Sequence, residues 1–504
     1  MKENSLIKNK AILELLDKYQ PIWSLNHLIT LANWDIRTYM PEEGIEARGN
    51  ALAEAAKLSQ TLFLKEDFIS LIEKAGKEKD LNDHENAILR ILKRGLKFYQ
   101  RLPRDFIEEY TKATNDAHLA WKSAKEESNF KTFEPHLEKI VELTRKKAKY
   151  LGYEKHPYDA LLDEYEEGLT TEEVEGYFNS IKKPIAELIN YIKKSGNYGS
   201  EHALEKIKYD EDKMKELTKA ILNLIHYNMN HLRIDTSSHP FSTNIGKGDH
   251  RITTRFEGKD FARSYSGTIH EYGHALYDIQ SHEDLHYTPI GGGSSLVIHE
   301  SQSRFWENFV GKSEAFISLL YNEIIKANDE YKNYSPREIY NYMNLVKPSL
   351  IRMEADEVTY HLHVLIRFEI EKELIEGKIK VKDLPKIWND KYEQYLGIRP
   401  ENDQEGVLQD IHWSDGSIGY FPTYSIGTAL SAIWKIHLEN EIGRIDDLAK
   451  SKDGIGKIQK WLKEKIHRHG STYIFRDIVK KMTGEEFSSR HLIEYLEEKY
   501  KRLY

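Results

Sequence analysis

The segment SGTIHEYGHALYDIQ, residues 266–280, places two histidines four positions apart, with a glutamate directly after the first. On an α-helix, positions four apart are offset by about 40°, so His270 and His274 project from one face and are able to share a metal ion. Glu271 lies about 100° around the helix from His270, where its carboxylate reaches a water molecule without binding the ion. The segment therefore predicts a metal-binding helix that carries a general base, unless these residues fell together by chance.

A site of this kind needs a third protein ligand, and the downstream sequence tests the alternatives. The metzincin pattern requires Gly at 277 and His at 280, but the chain has Tyr277 and Gln280. A thermolysin-like glutamate about twenty residues beyond the second histidine would fall near Ser294, where there is no carboxylate. Asp278 lies one turn beyond His274, but a straight helix carries it away from the ion. We expect Asp278 to support the site or to lie at the surface.

Glu300 opens the downstream segment ESQSRFWENFV, residues 300–310. Phe305 and Phe309 form an apolar stripe on the predicted helix, and Glu300 falls elsewhere on the helical wheel. A helix, a loop and a second helix are able to bring Glu300 to the ion. Two histidines and one glutamate leave a fourth position open for water, as in catalytic sites.

The chemistry of such a site follows from the ion and the base. Zinc with an open position lowers the pKa of its water to about 7 and polarises a substrate carbonyl. Glu271 is then placed to take the proton of the water and to pass it to the leaving amine. Peptide hydrolysis is the natural reaction. A non-catalytic helical protein with a structural metal is the alternative, but structural sites have four protein ligands and the sequence offers three.

Composition limits the possible partners. The 504 residues include no cysteine, which excludes disulfides and thiolate-bound metals. The formal charge of −9 shows no cationic excess, so we expect no nucleic-acid partner. No apolar run approaches the roughly 20 residues that span a bilayer, and the first segment lacks the apolar core of a signal peptide. We expect a cytoplasmic protein without a membrane partner.

The periodicity of the chain predicts a mainly α-helical fold. Segments such as 131–153 repeat apolar residues at spacings of three and four. Helix starts are indicated at TTEEVEGYF, 170–178, and SPREIYNYM, 335–343, where Thr or Ser precedes an acidic first turn. HRITTRF, 250–256, alternates at period two and predicts part of a small sheet. The linker candidate 193–203 is flanked by helical pattern, so we expect one catalytic domain over 1–504.

Six short motifs occur in order along the second half of the chain: HPF (239–241), DHRIT (249–253), HEYGH (270–274), HESQ (299–302), IRMEAD (351–356) and GVLQDIHW (406–413). In this order and spacing the chain resembles the thermostable (Taq-type) metallocarboxypeptidase family. The resemblance extends over essentially the whole chain.

The resemblance implies a zinc carboxypeptidase that removes single residues from the C-termini of peptides with broad preference. It also implies a homodimer and a site in which cobalt is able to replace zinc. The implied fold is similar to angiotensin-converting enzyme and neurolysin, with a deep cleft roofed by N-terminal helices, about 1–120, and a small sheet near the metal. A related helical oligopeptidase that cuts internally is the alternative enzyme.

The motif match also implies roles for individual residues. His270, His274 and Glu300 are the implied ligands, and Glu271 is the implied base. Tyr424, in GYFPTYSIG, resembles the phenol that stabilises the oxyanion in similar folds.

Four further residues are candidates for substrate binding. Arg352 suits a terminal carboxylate because a guanidinium meets it with two hydrogen bonds; the alternative is an ion pair with Glu354, Asp356 or Glu357. Arg251 either shares that role or is a surface charge. His412 either contacts substrate or packs against Trp413, and His239 either donates to the intermediate or holds a turn. The residues that we expect either to orient a ligand histidine or to form ordinary buried networks are Asp356, Gln409 and Asp410.

Overall fold

The computed structural model describes residues 5–196, 198–225, 230–293 and 295–504. In these ranges the protein is mainly helical with one small sheet, which confirms the predicted fold class. The chain divides into two compact units, each assembled from separate stretches. The first unit comprises residues up to 99, 202–343 and 434–487, and the second comprises 100–201, 344–433 and 488–504.

In chain order the helices are α1 (Lys10–Thr38), α2 (Ile45–Phe63), α3 (Glu66–Ala75), α4 (Asp83–Arg101), α5 (Arg104–Glu126), α6 (Phe130–Leu151), α7 (Asp159–Tyr165), α8 (Thr171–Lys194), α9 (Glu211–Leu224), α10 (Phe261–Ile279), α11 (Leu296–Arg304), α12 (Glu314–Ala327), α13 (Pro336–Met343), α14 (Tyr360–Glu376), α15 (Leu384–Leu396), α16 (Pro422–Ile442), α17 (Ile445–Leu448), α18 (Lys452–Lys465), α19 (Phe475–Thr483) and α20 (Arg490–Leu503). A π-helix over Phe305–Gly311 continues directly from α11.

The two helix starts indicated by the sequence form as expected. Thr170 accepts a hydrogen bond from the Glu173 backbone, and the Glu173 side chain accepts one from the Thr170 N–H, so α8 begins with a capping box. Ser335 and Glu338 exchange the same two bonds ahead of α13. These caps satisfy N–H groups that the first turn of a helix leaves without partners.

The small sheet belongs to the first unit and has the strand order β1-β3-β2. Its strands are β1 (Leu232–Thr236), β2 (Ser242–Gly246) and β3 (Asp249–Thr254). β3 pairs in parallel with β1 and antiparallel with β2, and it contains most of the predicted strand. The Thr268 hydroxyl of α10 donates to that of Thr254 at 3.2 Å, so the sheet lies beside the helix that is predicted to bind the metal. The glycine-rich segment after α10 forms no strand in its described part, and Ser294 lies outside the described residues.

A large apolar core of the first unit lies among its N-terminal helices. Buried members include Leu15 of α1, Ile72 of α3 and Ile88 of α4, which face one another as amphipathic stripes. The same cluster includes Leu285 and Ile290 from the segment that follows α10. The N-terminal helices of this unit therefore support the loop that leads from one proposed ligand helix to the next.

In the second unit, α14 is buried on almost all sides and carries polar groups that find partners there. The Glu371 carboxylate accepts hydrogen bonds from the Tyr158 hydroxyl at 2.6 Å, the Trp413 indole at 2.8 Å and the Gly419 N–H at 2.9 Å. A buried carboxylate is tolerated only when it is satisfied in this way. These bonds join α14 to the residue that precedes α7 and to the segment before α16.

The division between the two units at 201/202 falls within the predicted linker candidate, residues 193–203, of which Asn197 lies outside the described residues. The single catalytic domain over 1–504, with its N-terminal helices as a roof, stays a prediction. A search of the described residues finds no helix with the length and apolar character needed to cross a membrane.

Candidate metal centre

Three side chains converge where α10 and α11 meet in the first unit. His270 and His274 lie one turn apart on α10, and Glu300 lies on α11. Nε2 of each histidine is 3.6 Å from Oε2 of Glu300, and the three ligand atoms all lie within 4.8 Å of one another. Two nitrogens and one oxygen so arranged are able to bind one ion at about 2.0–2.2 Å.

The two helices approach closely at Gly273, between the two histidines. A Cβ at this position would lie 2.7 Å from the carbonyl oxygen of Gln302 and 2.7 Å from Cα of Ser303. Only glycine lacks that atom, so only glycine lets α11 come near enough to carry Glu300 to the imidazoles. The sequence contained a signal for this contact, because a glycine inside a helix is unfavourable by about 1 kcal/mol and needs a reason.

Neighbours on α11 fix the orientation of Glu300. The Arg304 Nε donates to Oε1 at 2.7 Å and the Ser303 hydroxyl donates to Oε2 at 2.9 Å. Oε1 is therefore held by the guanidinium while Oε2 faces the histidines. Burial raises the pKa of Glu300, but Arg304 and the two imidazoles outweigh burial and hold the pKa well below its usual range.

A carboxylate that the sequence reasoning missed contacts His270. Glu307 of the π-helix places Oε2 3.0 Å from His270 Nδ1, on the far side of the ring from Glu300. Arg304 and Lys312 also donate to Glu307. An acidic residue near Glu300 is visible in the sequence, but no pattern showed that a π-helix turns it towards His270.

Glu271 and His274 have protonation states suited to a metal site. Burial raises the pKa of Glu271 to about 7; the His270 imidazole opposes this shift and the Glu300 carboxylate adds to it. Burial lowers the pKa of His274 to about 4, so its ring is neutral near pH 7. A neutral imidazole is the form that binds a metal.

The charges of the cluster also fit a divalent ion. Three carboxylates, those of Glu271, Glu300 and Glu307, lie near two basic side chains, those of Arg304 and Lys312. One negative charge is left over when all three carboxylates are ionised, and the donor atoms are imidazole nitrogen and carboxylate oxygen. Such a set suits a transition-metal dication and lacks the all-oxygen shell of calcium or magnesium.

Asp278 is buried near the cluster and does not lie at the surface. It is 6% exposed, its Oδ1 accepts a hydrogen bond from the Gly293 N–H at 2.6 Å, and the same atom lies 3.8 Å from His299 Nε2. The His299 ring packs against that of His274, with centroids 5.5 Å apart. Asp278 thus anchors the glycine-rich loop that leads into α11.

Two of the predicted substrate-binding residues lie in the first unit. Arg251 of β3 is paired with Asp249 through two hydrogen bonds of 2.7 and 2.8 Å, and its guanidinium lies over the Trp34 ring. His239 is exposed between β1 and β2, where its carbonyl accepts a hydrogen bond from the Ser237 hydroxyl at 2.6 Å. The Ser237 contact agrees with the turn that was the alternative for His239. Arg251 is not a surface charge, because its side chain is only 18% exposed and β3 is the central strand of the sheet. The substrate roles of both residues stay predictions.

The other predicted substrate and oxyanion residues lie together in the second unit. His412 Nε2 is 3.3 Å from the Tyr424 hydroxyl, and the Arg352 guanidinium lies 5.0 Å from the centre of the Tyr424 ring. Arg352 is 7% exposed and donates from Nε and Nη2 to Oδ1 of Asp410, at 3.1 and 3.0 Å. The carboxylate paired with Arg352 is therefore Asp410, and not Glu354, Asp356 or Glu357.

Asp410 also accepts from a second buried guanidinium, that of Arg367, at 2.6 Å. Gln409 contributes one oxygen to both arginines, accepting from the Arg352 backbone at 3.0 Å and from Arg367 Nη2 at 2.7 Å. Asp410 and Gln409 therefore organise an arginine pair, and Asp356 instead caps the start of α14. Burial lowers the pKa of the adjacent His412 to about 3, which leaves its ring neutral.

Comparison with known proteins identifies the family. Residues 14–500 match the family described as Carboxypeptidase Taq (M32) metallopeptidase. The chain belongs to the M32 family. It is 45% identical over 497 residues to thermostable carboxypeptidase 1 of Pyrococcus furiosus, with 98% of this chain and 99% of the relative covered. It is 38% identical over 499 residues to carboxypeptidase 1 of Bacillus subtilis, covering 97% and 98%.

Comparison with solved structures also identifies the M32 fold. The solved structure of the Pyrococcus furiosus carboxypeptidase in the form described as Apo-Mg matches with a TM-score of 0.96 and 44% identity, covering 98% of this chain and all of that one. The family resemblance inferred from the six motifs is thus confirmed, and the protein is an M32 metallocarboxypeptidase.

The close approach of the two helices in the M32 enzyme leads to a prediction for Gly273→Ala. Alanine normally stabilises a helix by about 1 kcal/mol relative to glycine, but here its methyl group has to push α11 and Glu300 away. We expect lower stability of the metal-free protein and at least a tenfold loss of zinc affinity, roughly what is lost when a group that orients a metal ligand is disturbed. Thermal melting and competition with a chromophoric chelator measure the two quantities.

Gly267→Ala is the matched control, because Gly267 also lies on α10 and a Cβ there meets no atom within 4 Å. It is expected to keep zinc affinity and to preserve or raise stability. If Gly273→Ala behaves like Gly267→Ala in both measurements, close approach at Gly273 is not what sets the ligand geometry.

Proposed function

We propose that this metallocarboxypeptidase is a zinc enzyme whose ligands are His270, His274 and Glu300, and that it removes single residues from peptide C-termini with broad preference. The convergence of both imidazole Nε2 atoms on Glu300 Oε2, each at 3.6 Å, carries the proposal. The ligand group found among the described residues has three members, which leaves a fourth position for water and substrate, as catalytic zinc sites do. Cobalt is expected to substitute, since it accepts the same nitrogen and oxygen donors.

In this mechanism Glu271 is the proton carrier. Zinc, when bound, supplies a Lewis acid that polarises the scissile carbonyl and acidifies a water molecule. The Glu271 carboxylate, which follows His270 directly on α10, would take a proton from the attacking water and pass it to the leaving amine. Its raised pKa of about 7 suits a group that has to hold a proton and then release it near neutral pH.

Tyr424 is proposed as the donor to the developing oxyanion. Its hydroxyl is 3.3 Å from His412 Nε2, and its ring lies beside the Arg352 guanidinium, so the phenol is held from two sides. Because His412 is neutral, the imidazole orients the phenol without adding charge. In this proposal His412 acts on substrate through Tyr424.

Arg352 is proposed as the anchor of the substrate's terminal carboxylate. Two buried guanidinium groups, Arg352 and Arg367, share the single carboxylate of Asp410, so this cluster holds one excess positive charge. The carboxylate of a bound peptide would neutralise this excess charge, and a guanidinium binds a carboxylate with two hydrogen bonds. Arg251 and His239 are proposed as further substrate contacts.

We further propose that the enzyme acts on peptides in the cytoplasm as a homodimer, without a nucleic-acid partner. The mild negative charge of −9 is consistent with the absence of nucleic acid. The N-terminal helices, about 1–120, are proposed to roof the cleft in which peptides bind, within one catalytic domain.

Metal analysis of ligand variants tests the proposed zinc site. The wild-type protein is expected to contain one zinc per chain and to lose activity on chelation. Glu300→Ala removes one of three ligands and is expected to weaken zinc affinity strongly. Asp278→Asn keeps an acceptor for the Gly293 N–H and is expected to leave zinc affinity near the wild-type value. If only the Asp278 variant loses zinc, Asp278 and not Glu300 is the third ligand.

Glu271→Gln tests the proposed base. Glutamine keeps the size of the side chain but is not able to accept a proton, so turnover is expected to fall by about 10² to 10⁴ while zinc stays bound. Steady-state kinetics and zinc content of the same preparation measure the two effects. A variant with bound zinc and wild-type turnover would assign the base to another residue.

Arg352→Ala tests the anchor through paired peptides that differ only in a free or amidated C-terminus. Truncating one partner of a buried charged pair costs about 2 to 5 kcal/mol, so kcat/KM for the free acid is expected to fall roughly 30-fold to several-thousand-fold. The amide, a poor substrate from the outset, is expected to lose much less. Arg352→Lys keeps the positive charge but is not able to form two parallel hydrogen bonds with the carboxylate. It is therefore expected to recover only part of the lost kcat/KM for the free acid.

The ratio of the two kcat/KM values decides between candidates, provided that circular dichroism and zinc content show a folded protein. If Arg352→Ala leaves the ratio unchanged while Arg251→Ala or His412→Ala collapses it, the anchor is one of those residues. Internal fragments released equally from acid and amide would instead favour an oligopeptidase that cuts within the chain.

A further inference from the structure

A carboxylate outside the ligand set holds the far side of one ligand ring. We propose that Glu307 is a positioning residue that fixes the orientation of His270 and presents its Nε2 to the metal. The inference rests on the proposed ligand set of His270, His274 and Glu300. It adds to that set a residue on a separate helical element, the π-helix Phe305–Gly311.

The geometry of the His270 ring supports this role. Its Nδ1 lies 3.0 Å from Glu307 Oε2, and its Nε2 lies 3.6 Å from Glu300 Oε2. An ionised carboxylate only accepts hydrogen bonds, so Nδ1 donates its proton towards Glu307, and in the neutral ring this leaves the lone pair on Nε2. Metal-binding imidazoles are commonly oriented in this way by an acceptor on the opposite nitrogen.

Glu307 is itself held in place. Lys312 Nζ donates to its Oε1 at 2.7 Å and Arg304 Nη1 donates to its Oε2 at 3.0 Å, and the side chain is 9% exposed. Arg304 also donates from Nε to Glu300 Oε1 at 2.7 Å. One guanidinium therefore fixes both the ligand carboxylate and the carboxylate that orients the ligand imidazole.

The π-helix that carries Glu307 is fastened to α10. The Tyr265 hydroxyl of α10 donates to the Gly311 carbonyl at 2.8 Å, and a Cβ at Gly311 would lie 2.9 Å from Cδ1 of Ile269. Ile269 directly precedes His270, so the end of the π-helix packs beside the ligand. The wider turn of a π-helix changes the direction of side chains after α11, and such segments often occur at functional sites.

Zinc affinity and the visible spectrum of the cobalt form test the inference without relying on activity. Glu307→Gln keeps an acceptor oxygen for His270 but removes the charge. The double variant Glu307→Leu with Lys312→Met removes the acceptor together with the lysine that donates to it at 2.7 Å. We expect the double variant to bind zinc about 10- to 100-fold more weakly and to show an altered cobalt spectrum, with Glu307→Gln intermediate.

Two controls separate positioning from general destabilisation. Lys312→Met alone keeps the contact between Glu307 and His270 and is expected to keep most of the zinc affinity. Glu357→Leu with Lys499→Met removes a comparable buried pair, 2.6 Å apart, in the second unit. It is expected to change thermal stability without changing zinc affinity or the cobalt spectrum.

The inference is overturned if the folded double variant binds zinc with wild-type affinity and an unchanged cobalt spectrum. It is also overturned if the Glu357 and Lys499 control loses affinity to the same extent. His270→Ala distinguishes this failure from a failure of the ligand set. Loss of zinc from His270→Ala with unchanged binding in the Glu307 variants rejects only the positioning role, whereas retention of zinc in His270→Ala rejects the proposed ligands.

Discussion

The close packing of α10 against α11 at Gly273 is the constraint on which the metal centre depends. His270 and His274 flank this glycine, and Glu300 precedes the backbone that it touches at Gln302. The distance between the helices therefore sets the distance between the imidazoles and the carboxylate. A side chain at position 273 would separate the helices, whatever the quality of the ligands themselves.

Paired charges then hold the buried groups that the packing brings together. Burying a carboxylate is costly unless cations and donors compensate it, and Arg304 compensates both Glu300 and Glu307. In the second unit the ratio of charges is reversed, because one carboxylate, that of Asp410, accepts hydrogen bonds from two arginines. In the proposed roles, the first cluster binds a metal cation and the second binds an anion. A carboxypeptidase needs both a metal and a means of recognising a terminal carboxylate.

Local features of the chain were open to prediction from its sequence. The spacing of His270 and His274 fixes a shared helical face, and the capped helix starts and the period-two strand depend on neighbours a few residues away. The order of the six motifs was sufficient to recognise the M32 family, since each motif is short and continuous. Glu300 could also be predicted as the third ligand, because few carboxylates near the histidines lie on a second predicted helix. The sequence also showed Gly273 as a glycine inside a predicted helix, but it did not show that this glycine lies against the backbone of α11.

The sequence by itself determined the helical class, the family, and the residues proposed as ligands and base. Only the tertiary structure decided which groups hold them: Glu307 on His270, Asp410 on Arg352, and Asp278 on the glycine-rich loop. The physical reason is that these partners meet through packing between separate elements, and in one case through a change from α- to π-helix. Helical periodicity specifies which face a residue occupies, but the partner opposite that face depends on how distant segments come together.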